Sequence, residues 1–528
     1  MTLLINKKIL IFGFFLIFLP FYMASAQIGV GEWRSHLSYR RGYNLSLADG
    51  NIYCTSQAGI FIYHTSDNSY EKLTKINGLS DFKVSAIDYH ENTGNLVLGY
   101  DNGNVDFIKN NVIHNLQDIK RKLIYGEKSI NNVLFKDDFA YFSCGFGIVK
   151  VHIDEREVLE TYQIGEGGGN ISVNDLIYEE GRFYASTPEG IYTALDDGRN
   201  LVDFHNWEQI EQAPSSPDDY THLAFFNDRL YTVVSSQDTS RDNIIYRENG
   251  NWTYLPLTVN EVSGFKVVNG QLGIADGEGL IFINFHNEIV ESINEYDFGG
   301  ASPNDFVVQE EGTIWIADNN NGLVKYQKND EDSRYYPSGP FTNNAFRMES
   351  DNGVLWVTGG GIYKQNHPLY NLGQVFRFSD NRWDNIVSWG LQDYVDIALV
   401  PGSPENFYVA SWGHGIAEYQ NRSITHKYNV NNQDVHSLQS IYPDKPYVRI
   451  SGLDFDKEGN LWVGNSNVDH LLSVKKPDGT WKGFDIAKSI GIKSTGKLLV
   501  TEDGYKWMLL NFGEGIVAFD EGNMEDAE

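Results

Sequence analysis

The residues of this chain that could do chemistry are its acidic turns, its histidines, two cysteines and a large aromatic set. Asp454-Phe455-Asp456-Lys457-Glu458-Gly459 has the spacing of part of a calcium loop, but it lacks the twelve-residue ligand series and the closing bidentate glutamate. Similar acidic glycine turns recur in one hairpin slot as ENTGN, QEEGT and TEDGY. A feature repeated along the chain reads as turn chemistry rather than as a ligand cage, and the same applies at 276–279 (DGEG) and 318–322 (DNNNG). The run 165–170 (GEGGGN) opens no helix and precedes no Lys-Ser/Thr pair, so it reads as a connection and not as a phosphate cradle. The thirteen histidines form neither HExxH nor any zinc-enzyme spacing; His414, in SWGHGIAEY, reads as structural or solvated. There is no GxSxG elbow. Acid pairs able to cleave a glycosidic bond are not excluded, yet nothing singles out one pair among 71 acids. No catalytic, cofactor-binding or metal-binding residue is therefore assigned, no cofactor is expected, and the ligand-binding residues stay unknown.

Cys54 and Cys144 both lie in strand-like stretches and read as small buried hydrophobes, although a bridge between them is left open. Two cysteines make neither a disulfide scaffold nor a four-ligand zinc site. The tryptophans admit two readings. Trp315, Trp356, Trp412, Trp462 and Trp507 occupy matching strands of successive units, which suits packing between neighbours. Trp207, Trp252, Trp383 and Trp481 fall in outer strands or connections, where they could stack on a saccharide or a partner. Sequons at Asn44, Asn170, Asn251 and Asn421 are too frequent by chance to argue from.

The elements that must position these residues follow from composition and period. The net charge of −30 argues against nucleic acid and against a bare anionic membrane surface as partners. Hydrophobic residues at 41% and aromatics at 14% suffice for a packed core. Lys7 and Lys8, the apolar run 9–22 and Ala24-Ser25-Ala26 read as a cleaved signal peptide over 1–26, with Gln27 as the mature start and export as the consequence. An uncleaved anchor is the rival reading. No other stretch approaches the ~18 apolar residues of a membrane-spanning helix.

One pattern returns along the rest, as in GNIYCTSQAGIFIY, GRFYASTPEGIYTA and GTIWIADNNNGLVKY. Its turn glycines fall at Gly59, Gly103, Gly147, Gly190, Gly279, Gly322, Gly361, Gly415 and Gly515, the first steps being 44, 44 and 43 residues. Glycine suits a hairpin turn that needs φ > 0. Four strands per ~44 residues without helical periodicity predict β-propeller blades. Counting divergent copies inside the double-length steps gives eleven units. The fold class is therefore all-β, with tandem propellers of four-stranded blades. The expected domains are a seven-bladed first propeller over 27–340 and a partial second one of about four blades over 341–528. EWRSHLSY near the N-terminus is expected to give an outer strand to the last blade of the first ring.

The segment VGEWRSHLSYRRGYNLSLADGNIYCTSQAGIF, with its INGLSD link, resembles the PorZ family of the bacterial type IX secretion system. PSGPFTNNA and the later blades carry the resemblance more weakly. It implies two seven-bladed propellers and a C-terminal β-sandwich that is apparently absent from this sequence, so a truncated sequence is expected. It further implies the cell-surface side of the outer membrane. The implied partners are the sortase PorU, PorV and PorQ, and anionic lipopolysaccharide presented to that sortase; no enzymatic activity is implied. The alternatives are a periplasmic ligand-sensing propeller of a hybrid two-component regulator and a secreted polysaccharide-active propeller enzyme.

Overall fold

The computed structural model describes residues 31–210, 219–235, 241–309, 311–431, 437–520 and 522. The expected signal peptide lies outside them. Seven four-stranded antiparallel sheets succeed one another between residues 42 and 335, and these are blades 1 to 7. The inner strand of each blade contacts that of the next, and the inner strand of blade 7, Pro303–Val308, returns to that of blade 1, Gly42–Ala48. The first ring is thus closed. Four more blades follow, with inner strands Arg347–Asp351, Tyr394–Val400, Val448–Phe455 and Thr495–Val500 in succession; blade 11 has three strands among the described residues.

Local sequence explains these elements. Residue pairs such as Asp49-Gly50, Asn227-Asp228, Asn269-Gly270 and Asn352-Gly353 take positive φ at both positions, which is the geometry of a tight two-residue hairpin. Gly147 sits in the second hairpin of blade 3 at φ 143, and a Cβ there would lie 2.3 Å from the Tyr162 carbonyl oxygen. Two turn assignments made from the sequence are corrected. Gly279 lacks positive φ, and Gly277 turns the chain instead. Gly361 also lacks it, because blade 8 carries an inserted hairpin, Ile362–Tyr363 with His367–Pro368, where other blades have a tight turn.

The core lies between blades. Tyr141 and Ile148 of blade 3 pack on Phe183 and Ala185 of blade 4. Phe61 and Tyr63 of blade 1 share a cluster with Trp315 and Leu323 of blade 7, so ring closure is also an apolar contact. Sequence alternation places these residues, since successive side chains in a strand face opposite neighbours.

The EWRSHLSY segment forms no strand, which corrects the expected outer-strand role. Blade 7 supplies its own fourth strand, Ser333–Tyr335. The segment instead runs between the first ring and blade 8. The Arg40 carbonyl accepts from Gly322 N at 2.7 Å and Ser38 Oγ donates to the Phe341 carbonyl at 2.9 Å. The His36 ring packs 4.7 Å from Phe378, and Trp383 Nε1 donates to His36 Nδ1 at 3.0 Å.

Candidate functional site

Two axial sites are built by the starts of inner strands. In the first ring, polar residues there reach the backbone of the next blade. Asn44 Nδ2 donates to the Ser85 carbonyl (3.2 Å), Ser85 Oγ to Ile130 (2.6 Å), and Asn131 Nδ2 to Val173 (2.8 Å). Asn174 Nδ2 donates to Tyr220 (2.8 Å), Ser263 Oγ to Pro303 (3.2 Å), and Asn304 Nδ2 to Gly42 (2.6 Å). Carboxylates add a second tier of latches. Asp175 accepts from Leu223 N at 2.8 Å and Asp305 from Leu45 N at 2.9 Å, each across a blade junction.

Asn44, Ser85, Asn131, Asn174, Ser263 and the two carboxylates line an axial cavity of about 490 Å³. Lys266 pairs with Asp305 at 2.6 Å, so the cavity carries Asp88, Asp175, Glu179 and Asp305 against one lysine. Asp88 opens onto the cavity, yet desolvation by its walls raises its carboxyl above the usual range. Desolvation likewise lowers the His222 imidazole, against the pull of Asp175, Asp242 and Asp305. The arrangement suits closure of the ring and disfavours an anion. Asp175 and Asp305 are occupied by neighbouring amides and are poorly placed to act as bases.

The second site is the mouth of blades 8 to 11. The inserted hairpin reaches across it. The Asn366 carbonyl accepts from Trp412 Nε1 of blade 9 at 3.0 Å, and Asn366 Nδ2 donates to Ser494 Oγ beside blade 11 at 2.6 Å. Under the hairpin lies a cavity of about 330 Å³, with Arg347, Tyr363, Lys364, Asn366, Asn511 and Phe512 among its walls. The acids of this axis, Glu349, Asp396 and Asp454, lie around Lys497 and do not line that cavity; Lys497 Nζ sits 2.9 Å from Asp396. Desolvation raises the Asp396 carboxyl even so.

The residues singled out in the sequence are mostly absorbed by the fold. Asp456 accepts from Asn460 N, Asn460 Nδ2 and Trp462 Nε1, all at 2.8 Å. Asp454 accepts from Val500 N of the next blade at 2.7 Å. Asp318 takes the amides of Asn320 and Asn321, and Asp276 those of Glu278 and Gly279. Gly165 closes a turn with Gly169. Cys54 and Cys144 are free, fully buried and in separate clusters. Trp315, Trp356, Trp412 and Trp462 are buried, whereas Trp507 is 39% exposed on blade 11. Among the other four tryptophans the stacking reading is corrected for Trp207, which is buried, while Trp252, Trp383 and Trp481 are half-buried in contacts within the chain. Trp207 is buried with Nε1 bonded to the Leu201 carbonyl, Trp252 packs on the core of blades 4 and 5, Trp383 holds the N-terminal segment, and Trp481 lies 5.5 Å from Tyr428. His414 is half-buried at a blade 9 turn, and its Nδ1 lacks a partner.

Sequence reasoning missed Arg347, Tyr363, Lys364 and Phe512. The only available signal was the broken period around Gly361, with steps of 39 and 54 residues. Among the described residues, no helix is long and apolar enough to cross a membrane.

Comparison with known proteins agrees with this geometry. Residues 52–208 match the sequence family described as the N-terminal beta-propeller domain of PorZ of the type IX secretion system. The chain superposes on PorZ of Porphyromonas gingivalis, described as an essential bacterial surface component of the type-IX secretion system. The TM-score is 0.78 at 20% identity, covering 93% of this chain and 66% of that one. The chain thus spans about two thirds of the length of that relative. An ancestral GH74 enzyme superposes at TM-score 0.52 and 11% identity, covering 90% of this chain and 81% of its own, which indicates shared propeller architecture alone. The extracellular domain assigned to a hybrid two-component system of B. thetaiotaomicron reaches only 0.42 at 12% identity, covering 92% and 73%, too loose to argue from. No curated protein matches by sequence. The chain has an all-β propeller fold similar to that of PorZ, and its residues 52–208 match the family of the PorZ N-terminal propeller.

Proposed function

We propose that this PorZ-like chain is an exported, non-catalytic cell-surface scaffold of the type IX secretion attachment complex. It would hold anionic lipopolysaccharide and present it to the sortase PorU, beside PorV and PorQ. The observation that carries the reading is the PorZ family match over residues 52–208 of the first ring, together with a superposition on PorZ that covers 93% of this chain. Physical support comes from the axial sites. Asp175 and Asp305 of the first ring are engaged in closing it, and rigid blades leave their end loops free for recognition.

The mechanism is positional. A scaffold of this kind lowers the cost of bringing a bulky glycan and a sortase together by fixing their orientation. With a net charge of −30, the chain needs a local basic pocket to take an anionic glycan. Deleting the gene tests the reading. Secreted cargo is expected to accumulate with its sorting domains attached and without surface anchoring. Normal processing and anchoring in the deletion strain would overturn it.

A further inference from the structure

We propose that the cavity under the inserted hairpin of blade 8 is a binding site for a sugar ring that carries a phosphate or a carboxylate. The site stands on its own geometry; only the assignment of that sugar to surface lipopolysaccharide rests on the function proposed above.

Charge is the first argument. On a chain with thirty surplus negative charges, this cavity has two cations in its walls, Arg347 and Lys364, and no carboxylate. Neither cation makes an ion pair among the described residues, and Arg347 Nε is buried without a hydrogen-bond partner. The half-buried Arg347 guanidinium, packed over Phe346 at 5.1 Å, has no carboxylate partner among the described residues, and an oxyanion in the cavity can accept a charge-assisted bond from it. The planar fork of arginine suits both carboxylate and phosphate.

Shape and wall chemistry supply the sugar. Tyr363 is 61% exposed and Phe512 is 65% exposed, one on the hairpin and one on the blade 11 turn. Aromatic faces in this setting can take the apolar face of a sugar ring. The exposed Gln365 side-chain amide offers both a donor and an acceptor to hydroxyl groups, while the Asn366 and Asn511 amide nitrogens donate to Ser494 and Thr495 and fix the wall. A volume of about 330 Å³ lies at the small end of ligand cavities, enough for one ring.

Backbone conformation points to the same place. Gln365, Asn366 and Phe512 all hold positive φ, at 64°, 63° and 63°. Positive φ is a true outlier for a bulky residue such as phenylalanine, and such strain clusters at ligand sites. The hairpin is fixed by the Trp412 and Ser494 hydrogen bonds to Asn366, and Phe346 and Ile362 pack against the core of blades 9 and 10. The site is therefore preorganised.

The test is calorimetric titration of the full chain with glucose 1-phosphate, glucuronate, glucose and inorganic phosphate. Wild type, Arg347→Gln and Tyr363→Ala are compared, and a thermal melt confirms that each variant is folded. A charged sugar is expected to bind wild type; Arg347→Gln is expected to weaken it roughly tenfold, the scale of one lost charge-assisted contact, and Tyr363→Ala by about the same factor through lost stacking on the ring. Neutral glucose is expected to bind far more weakly. Failure of both charged sugars to bind folded wild type would overturn the proposal. So would unchanged binding by Arg347→Gln, or inorganic phosphate binding as tightly as the sugar phosphate. A second arm measures capture of purified lipopolysaccharide. Capture by wild type and equally by the double variant would sink this site and leave the scaffold reading intact. Charged-sugar binding here without lipopolysaccharide capture would keep the site, with free sugar phosphates as its source, and sink the scaffold reading.

Discussion

At the residue scale, Asp81 shows how a short link becomes a structural device. It ends the INGLSD segment between blades 1 and 2. Leu79 is buried there, and Asp81 meets Lys75 at 3.6 Å, Asn102 Nδ2 at 2.5 Å and the Lys120 ammonium. Burial pushes its carboxyl up, but Lys120 and Asn102 outweigh that and hold it at about 2. A depressed folded pKa contributes stability that is present above the ordinary value of 3.8 and is lost as pH falls through about 2. Asp81→Asn is expected to cost about 1 kcal/mol at pH 7, solvent screening the half-exposed lysines, and to flatten the acid loss between about pH 4 and 2, as read by urea midpoints across that range. An unchanged acid slope would assign the loss to other groups. The thiols give a second residue-scale test. Burial raises both Cys54 and Cys144 above the usual thiol range. Neither is expected to react with a thiol reagent until the chain unfolds, and rapid labelling of native protein would contradict the packing.

At the element scale, blade stacking decides what the sequence could and could not reveal. The period was legible because the turn glycines and strand alternation are local, and Gly59 at φ 127 and Gly147 at φ 143 occupy the turns assigned to them. Ring closure was not legible, because Asn304 to Gly42 and Leu45 to Asp305 join residues about 260 positions apart. The N-terminal segment misled for a similar reason: Arg34, His36 and Ser38 bond to Asn381, Trp383 and Asn343, which no local pattern announces. The basic mouth stayed hidden because Arg347, Lys364 and Phe512 share no spacing. Two variants test the stacking. A Cβ at Gly99 of blade 2 would lie 2.3 Å from Ile130 of blade 3, so Gly99→Ala is expected to destabilise by about 1–3 kcal/mol in equilibrium unfolding. Trp383→Ala is expected to speed hydrogen exchange of residues 34–40 while the inner strands of the first ring stay protected. Uniform loss of protection would mean that the segment holds the ring itself.

At the scale of the whole molecule, the two axes differ in chemistry although they share one architecture. The first is closed and acidic, with its polar groups committed to neighbouring blades. The second also holds acids, Glu349, Asp396 and Asp454 around Lys497, but its mouth is strapped by the inserted hairpin and carries cations and aromatics at its surface. That contrast suits a scaffold that is rigid in one half and recognises in the other. The most direct measurement is affinity capture of the tagged full-length protein from intact cells, with bound proteins identified by mass spectrometry and purified eluate assayed on polysaccharide. The scaffold account expects the sortase PorU and PorV to co-elute and no sugar polymer to be turned over. Recovery of neither partner, or cleavage of a polysaccharide by the pure chain, would contradict it.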